Sequence, residues 1–406
     1  MKYLIIINNI FPYDFGESFL ESEIHIISKY FDKVIVFPIS VSDNNQPITR
    51  MIPDNAVCWP SDIEKKLNTK LKSSILCLPR LISRKGLEGY LDSSMIEFSR
   101  IRTEKIIKSG LLDTINVDDK VFLYSYWFYT YTQIALNIND YLSTRGISQI
   151  KVFSRAHGFD VYKERQLLHY FPNREYMLKR INNVYVCSQQ GRDYIAREYP
   201  LFNDKLMVGR LGTTDRGVCP DKTEHQFVIV SCSSVIPLKQ VTLIAKAINC
   251  LLEIDKNVVW HHFGNGSEMP KVKRIIKRHL GNNVFLHGNV HNSAIYDFYH
   301  NNYVDVFVNA SKTEGIPVSI MEAMSFGIPV VAPNVGGVGE IVLEENGCIL
   351  LNSSISHNDI MEAIIDMKRL TADEMLDNRR KTRLFWEQHY NAVDNYSKFI
   401  EQVING

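Results

Sequence analysis

"FVIVSCSSVIPLKQVTLIAKAINCLLEI" occupies residues 227–254. The opening "FVIVSCSSV" is an apolar run that stops at a turn. Such a run reads as a strand of a parallel sheet, buried on both faces. "VTLIAKAINCLLEI" then reads as a helix. A strand, a loop and a helix starting afresh this late in the chain decide the architecture, because the chain opens in the same way. "YLIII" at residues 3–7 reads as a central parallel strand. "NNIFPYDFGES" is a turn, "FLESEIHIISKYF" has apolar residues at helical spacing, and "KVIVFPI" is the next strand. That is one βαβ unit, for which a right-handed crossover is expected.

Strand-like runs recur at "KVFLYSYWF", "ISQIKVFSRAH" and "NNVYVCS", so residues 1–211 read as one α/β domain. After residue 227 the pattern repeats through "VVWHHFG", "NVFLHGNV", "VDVFVNA" and "PVVAPN". The expectation is two doubly wound domains, 1–211 and 212–385, facing each other across a cleft. Ligands of such sheets sit at the carboxyl ends of the strands. The stretch "RRKTRLFWEQHYNAVDNYSKFIEQVI" reads as one long amphipathic helix.

Length and composition agree with two domains. The chain has 406 residues, 45% hydrophobic and 22% charged, as in ordinary globular proteins. Its formal net charge of +1 gives no global field for nucleic acid. The seven cysteines lack metal-ligand spacing, which fits a reducing compartment. The N-terminal apolar run is too short for a signal peptide, and no run approaches the ~20 residues of a membrane span. A cytoplasmic protein is expected. Residues 63–108 break the α/β rhythm. Between Ile63 and Gly86 lie seven Lys or Arg and one acid, Glu64, with Leu67, Leu71, Ile75, Leu78 and Ile82 at helical spacing around Pro79. Two readings stand: a basic amphipathic face on anionic lipid, or a solvated helical insertion covering its own core.

The chemistry concentrates in "SKTEGIPVSIMEAMSFGIPVVAPNVGGVGEIV", residues 311–342. Pro317 suits the first position of a helix. The N–H groups of Ile316, Val318 and Ser319 then point out of the helix start, a ready anion site. Gly315 lets a ligand approach the backbone. Glu322 lies on an otherwise apolar helix and needs donors. Sugar or ribose hydroxyls would serve, since a carboxylate accepts two at once. The alternative is that Glu314 and Glu322 only cap backbone.

With seven residues between Glu314 and Glu322, the stretch resembles the signature of family-four retaining glycosyltransferases, sugar-nucleotide-dependent enzymes of the GT-B fold. The resemblance implies that Glu314 contacts donor-sugar hydroxyls and that Glu322 binds the ribose. "SCSSVIPLKQVTLIAKAI" resembles the segment where an arginine and a lysine grip the donor diphosphate. Lys239 holds the lysine position, but Ser234 stands at that of the arginine, and Arg210 or Lys312 is a candidate to compensate. "SRAHGFDVY" resembles the segment whose histidine lies beside the donor sugar, which makes His157 a site residue. An ion pair between Arg155 and Asp160 is expected to support it. Gly264 and Gly266 resemble the turn beside the nucleotide base, and the backbone of Asn289 and Val290 the contact with its edge.

In the first loop the family often has paired glycines; this chain has Gly16 and Glu17. Gly16 permits close approach to the donor. Glu17 either meets an acceptor hydroxyl or stabilises a helix start. By the same resemblance, residues 386–406, with Trp386, Tyr390 and Tyr396, return to pack on the first domain. No D-x-D triplet occurs, so no metal and no cofactor are expected; the nucleotide sugar is itself a substrate. The expected reaction is transfer, with retention, from a UDP- or GDP-linked sugar to a carbohydrate or lipid-linked acceptor in cell-surface polysaccharide synthesis. A nucleotide-sugar epimerase, a phosphorylase and a non-catalytic paralogue are the alternatives.

Overall fold

The apolar runs became the sheet centres. A computed structural model describes residues 1–13, 17–40, 48–59, 66–77, 86–221 and 226–406. The chain divides into two compact units, residues 1–210 with 396–406, and residues 211–395.

The first unit runs β1 (Lys2–Asn8), α1 (Ser18–Ile27), β2 (Lys33–Pro38), β3 (Ala56–Cys58), α2 (Lys66–Cys77), α3 (Gly86–Lys108), β4 (Lys120–Ser125), α4 (Thr130–Thr144), β5 (Ile150–Ala156), α5 (Arg174–Arg180), β6 (Asn183–Val186), α6 (Gln189–Glu198) and β7 (Leu206–Val208). Its seven strands are parallel in the order β3-β2-β1-β4-β5-β6-β7. Strand β1 sits between β2 and β4 in the register Tyr3 to Lys33 and Tyr3 to Val121. Leu4 to Ile7 are therefore shut from solvent on both faces. The strand order reverses between β1 and β4, so the loops after these two strands flank the crevice where such sheets take ligands.

The second unit runs β8 (Phe227–Cys232), α7 (Val241–Ile254), β9 (Val258–Phe263), α8 (Met269–Ile275), β10 (Val284–Gly288), α9 (Asn292–Asn301), β11 (Val306–Val308), α10 (Val318–Ser325), β12 (Val330–Pro333), β13 (Ile349–Leu351), α11 (His357–Arg369) and α12 (Ala372–His389). Six parallel strands follow the order β10-β9-β8-β11-β12-β13. Here the reversal falls between β8 and β11. The loop carrying Lys239 follows the first of these strands and the loop carrying Glu314 the second.

The final segment differs from expectation. It is two helices, α12 and α13 (Ala392–Asn405), broken at Tyr390 and Asn391. The break is fastened by a short parallel bridge: Thr213 N–H donates to Tyr390 O at 3.0 Å and Ala392 N–H to Thr213 O at 3.0 Å. Trp386 Nε1 donates to Thr213 Oγ1 at 2.8 Å. Trp386 and Tyr390 thus belong to the second unit, and the return to the first begins only at Tyr396. There Phe399 lies against Tyr124, Phe153 and Tyr185.

The first unit's insertion is a helical pair. Helix α2 packs on α3 and α3 on α4. The apolar stripe expected along residues 63–86 is only partly described, since 60–65 and 78–85 lie outside the described residues. Ile75, placed on that stripe by spacing, is 56% exposed, and neighbouring Leu76 is 63% exposed. No helix among the described residues is long and apolar enough to cross a membrane. All seven cysteines are free.

Candidate functional site

In the second unit the two switch-point loops meet. Lys239 Nζ lies 2.5 Å from Glu314 Oε1. The ammonium side chain is 24% exposed and the carboxylate 11%, so the pair is partly buried. Lys312 N–H donates to Leu238 O at 2.9 Å, tying one loop to the other. The glycine pair explains itself at this point. A Cβ on Gly336 would stand 1.9 Å from Glu314 O, and Gly336 has φ +55°. Gly337 N–H donates to Gly315 O at 2.8 Å. The pair exists so that the 336–340 turn can brace the Glu314 loop from behind.

Pro317 stands one residue earlier than expected, as the N-cap of α10. Ile320 and Met321 donate to Pro317 O. The N–H groups of Val318 and Ser319 precede that ladder and face outward as donors, with the positive end of the helix dipole behind them.

Glu322 sits on the next turn, 7% exposed. The donors it needs were not legible in the sequence. Tyr296 OH on α9 donates to Glu322 Oε1 at 2.5 Å, and Asn292 Nδ2 lies at 3.4 Å. Arg216 stacks over the Tyr296 ring at 4.4 Å. Burial raises the Glu322 carboxyl to about 7 despite the Tyr296 hydrogen bond and Arg216. An acid raised this way binds its proton more tightly folded than unfolded. Stability therefore falls as pH rises from about 4.5 to about 7, by roughly 3 kcal/mol from this group alone. Glu322→Gln should remove that slope, as read by denaturant unfolding at pH 4.5 and 7.5; an unchanged slope would show Glu322 ionised throughout.

Gly264 and Gly266 have a packing task beside any ligand role. A Cβ on Gly264 would meet Ser233 O at 2.0 Å, and one on Gly266 would meet Val235 O at 2.5 Å. The turn holds the Ser233–Val235 backbone in close contact. Ser234 is exposed on the same loop, and Asn289 and Val290 follow β10 with Asn289 exposed. Lys312 is exposed two residues before Glu314, and Arg210 is the last residue of the first unit's main segment.

In the first unit, His157 follows β5 and is 7% exposed. Its Nε2 lies 3.1 Å from Tyr126 O, so Nε2–H donates there and Nδ1 is left as an acceptor. Its ring packs on Trp127 at 4.7 Å, Tyr126 at 4.9 Å and Phe19 at 5.6 Å. Burial, with Arg155 nearby, pushes the imidazole down to about 3, so it is neutral at ordinary pH.

The expected Arg155–Asp160 pair does not form. Arg155 instead pairs with Glu23 at 3.2 Å, donates to Tyr124 OH at 3.0 Å and Gly209 O at 2.6 Å, and stacks on Phe399 at 4.1 Å. Asp160 turns to the backbone, accepting from His157 N–H at 2.6 Å and Phe128 N–H at 2.7 Å. Burial raises it to about 6.

Glu17 differs from both expectations for it. Its carboxylate accepts from the N–H groups of Asn9, Ile10 and Phe11, from Asn8 Nδ2 and from Trp127 Nε1, at 2.6 to 3.2 Å. Its lone pairs are consumed by its own loop, so it organises that loop rather than meeting an acceptor hydroxyl. Gly16 lies outside the described residues.

Residues 220–383 match the family described as glycosyl transferases group 1. The chain is 21% identical over 235 residues to the UDP-N-acetylglucosamine–peptide N-acetylglucosaminyltransferase GtfA subunit of Streptococcus parasanguinis, covering 55% of this chain and 46% of that protein. It is 28% identical over 193 residues to the poly(ribitol-phosphate) alpha-N-acetylglucosaminyltransferase of Staphylococcus aureus, covering 46% and 37%. The chain thus matches less than half the length of these relatives. Among solved structures, a TarM variant of S. aureus in complex with fondaparinux, alpha-GlcNAc-glycerol and UDP superposes with TM-score 0.68 at 12% identity, over 99% of this chain and 100% of that one. The two parallel sheets are those of the GT-B fold, and Lys239, Glu314 and Glu322 all lie in the stretch that matches the glycosyl transferases group 1 family.

Proposed function

We propose that the chain is a glycosyltransferase that moves a sugar, with retention, from a nucleoside-diphosphate sugar to a hydroxyl of a carbohydrate or lipid-linked acceptor in cell-surface polysaccharide synthesis. One observation carries the reading: an ammonium and the free N–H groups of a helix start sit on the two switch-point loops of the second unit. Charge gathers on the departing diphosphate as its bond to the sugar anomeric carbon breaks. Donors fixed where that charge develops lower the barrier most. Lys239 and the N–H groups of Val318 and Ser319 supply them. Glu314 holds Lys239 in place and offers its second oxygen to sugar hydroxyls. Glu322 takes the ribose, and neutral His157 accepts a hydrogen bond from the sugar at Nδ1. The new bond forms from the acceptor oxygen to the anomeric carbon, and the acceptor's proton leaves with the diphosphate. Nothing in this scheme calls for a metal.

UDP is the first nucleotide to test, since the TarM variant was crystallised with it and the S. parasanguinis relative is named for a UDP sugar. A cytoplasmic location with peripheral contact on an anionic membrane accompanies the reading. It draws on exposed Ile75 and Leu76 beside Lys70 and Lys72 on α2. Incubation with UDP- and GDP-sugars and no acceptor tests the reaction class. Slow release of free sugar and nucleoside diphosphate is expected; isomerised nucleotide sugar would instead mean an epimerase, and no binding a non-catalytic protein.

A further inference from the structure

The first unit carries a partly open cavity of about 450 Å³, within the size range of small-ligand sites. Its floor comes from the carboxyl end of the sheet and its wall from the α2–α3 pair. Leu91, Ser94, Met95 and Phe98 form one helical stripe of α3 facing it, and Lys70, Ser73 and Ser74 one stripe of α2. Trp127 belongs to both this cavity and the histidine site: it lines the cavity, and its ring packs on His157 at 4.7 Å.

The lining is poorly matched to a bare sugar. A sugar ring presents several hydroxyls that each need a partner when buried. No carboxylate lines the cavity among the described residues. Its one amide, Asn9, already uses Oδ1 to accept from Tyr131 OH at 2.8 Å. Ser73 Oγ is spent on Lys70 O at 2.9 Å. What remains is apolar wall from Ile39, Leu91, Met95 and Phe98, lone hydroxyls, and one exposed ammonium, Lys70. That set suits an apolar chain ending in an anion.

We propose that this cavity holds the apolar aglycone of the acceptor, a lipid-phosphate-linked saccharide, with its phosphate at Lys70 and its sugar toward Trp127. This rests on the transfer reading above. It narrows the acceptor from any carbohydrate to an amphiphile.

The test is isothermal titration of the full chain with n-octyl phosphate below its micelle concentration, beside inorganic phosphate and a free disaccharide. Octyl phosphate should bind, while the other two should not. Met95→Trp, which fills the cavity, should weaken binding about tenfold or more. Lys70→Ala should weaken it about fivefold, as for a solvent-facing ion pair. Ser94→Trp fills the same space from a half-buried position and serves if Met95→Trp does not fold. Equal affinity in all variants, preference for the disaccharide, or no binding of octyl phosphate would overturn the proposal. Nucleotide-sugar hydrolysis by the unaltered chain reports separately on transfer. Its absence beside intact octyl phosphate binding would sink the reaction reading and not the cavity's ligand class.

Discussion

Lys239→Ala should lower turnover by about 100- to 1000-fold, the usual cost of removing one donor aimed at developing charge. Nucleotide affinity should fall far less, by about fivefold. The difference follows from where the ammonium sits. On the proposed mechanism the ground-state diphosphate would already meet the N–H groups of Val318 and Ser319, while Lys239 is shared with Glu314 at 2.5 Å. When the bond breaks, the phosphate charge grows and the ammonium gains most. Single-turnover rates beside nucleotide titration separate the two effects. Equal losses in rate and affinity would make Lys239 a mere binding group, and an unchanged rate would remove it from the mechanism.

Arg155→Met should cost about 3–5 kcal/mol, because it strands a buried carboxylate. Arg155 and Glu23 are both fully shut from solvent. Burial raises the Glu23 carboxyl, and Arg155 is the main influence holding it down. Without the guanidinium, Glu23 must ionise unpaired or take up a proton. A folded-state value above the unfolded one favours folding at low pH. The variant's deficit should therefore shrink as pH falls toward 4.5 and be largest at neutral pH. Thermal denaturation should show a drop of roughly 10 °C at pH 7. Arg155→Met combined with Glu23→Gln should recover part of it. A deficit that does not change with pH would place the loss in the Phe399 and Gly209 contacts instead.

The sequence disclosed what local pattern controls. β1 and β8 are apolar on both faces because both are covered, so each reads directly as a central strand. Helix α7 was legible from its apolar spacing, and the start of α10, to within one residue, from Pro317. Strands β3, β7 and β13, three residues each and only partly buried, are too short to stand out in the sequence; they are strands because a neighbour supplies the ladder. The break at Tyr390 has no glycine or proline to announce it. It is made by Thr213, far away in the chain.

Site residues divide likewise. Glu314 and Glu322 became candidates through their place around a helix start, and Lys239 and His157 through the family resemblance. Their partners were not: Tyr296 reaches Glu322 from another helix, and Arg155 finds Glu23 across 132 positions. Glu17 was misjudged because a carboxylate beside a loop looks the same in sequence whether it serves a ligand or the loop's own N–H groups.

The central claim is that Lys239 and the start of α10 hold the diphosphate of a nucleotide. A crystal structure of the chain with UDP tests it most directly. The diphosphate should lie within hydrogen-bond reach of Lys239 Nζ and the Val318 and Ser319 N–H groups, with ribose hydroxyls at Glu322. UDP bound elsewhere on the second unit, with the Lys239–Glu314 pair untouched, would contradict it.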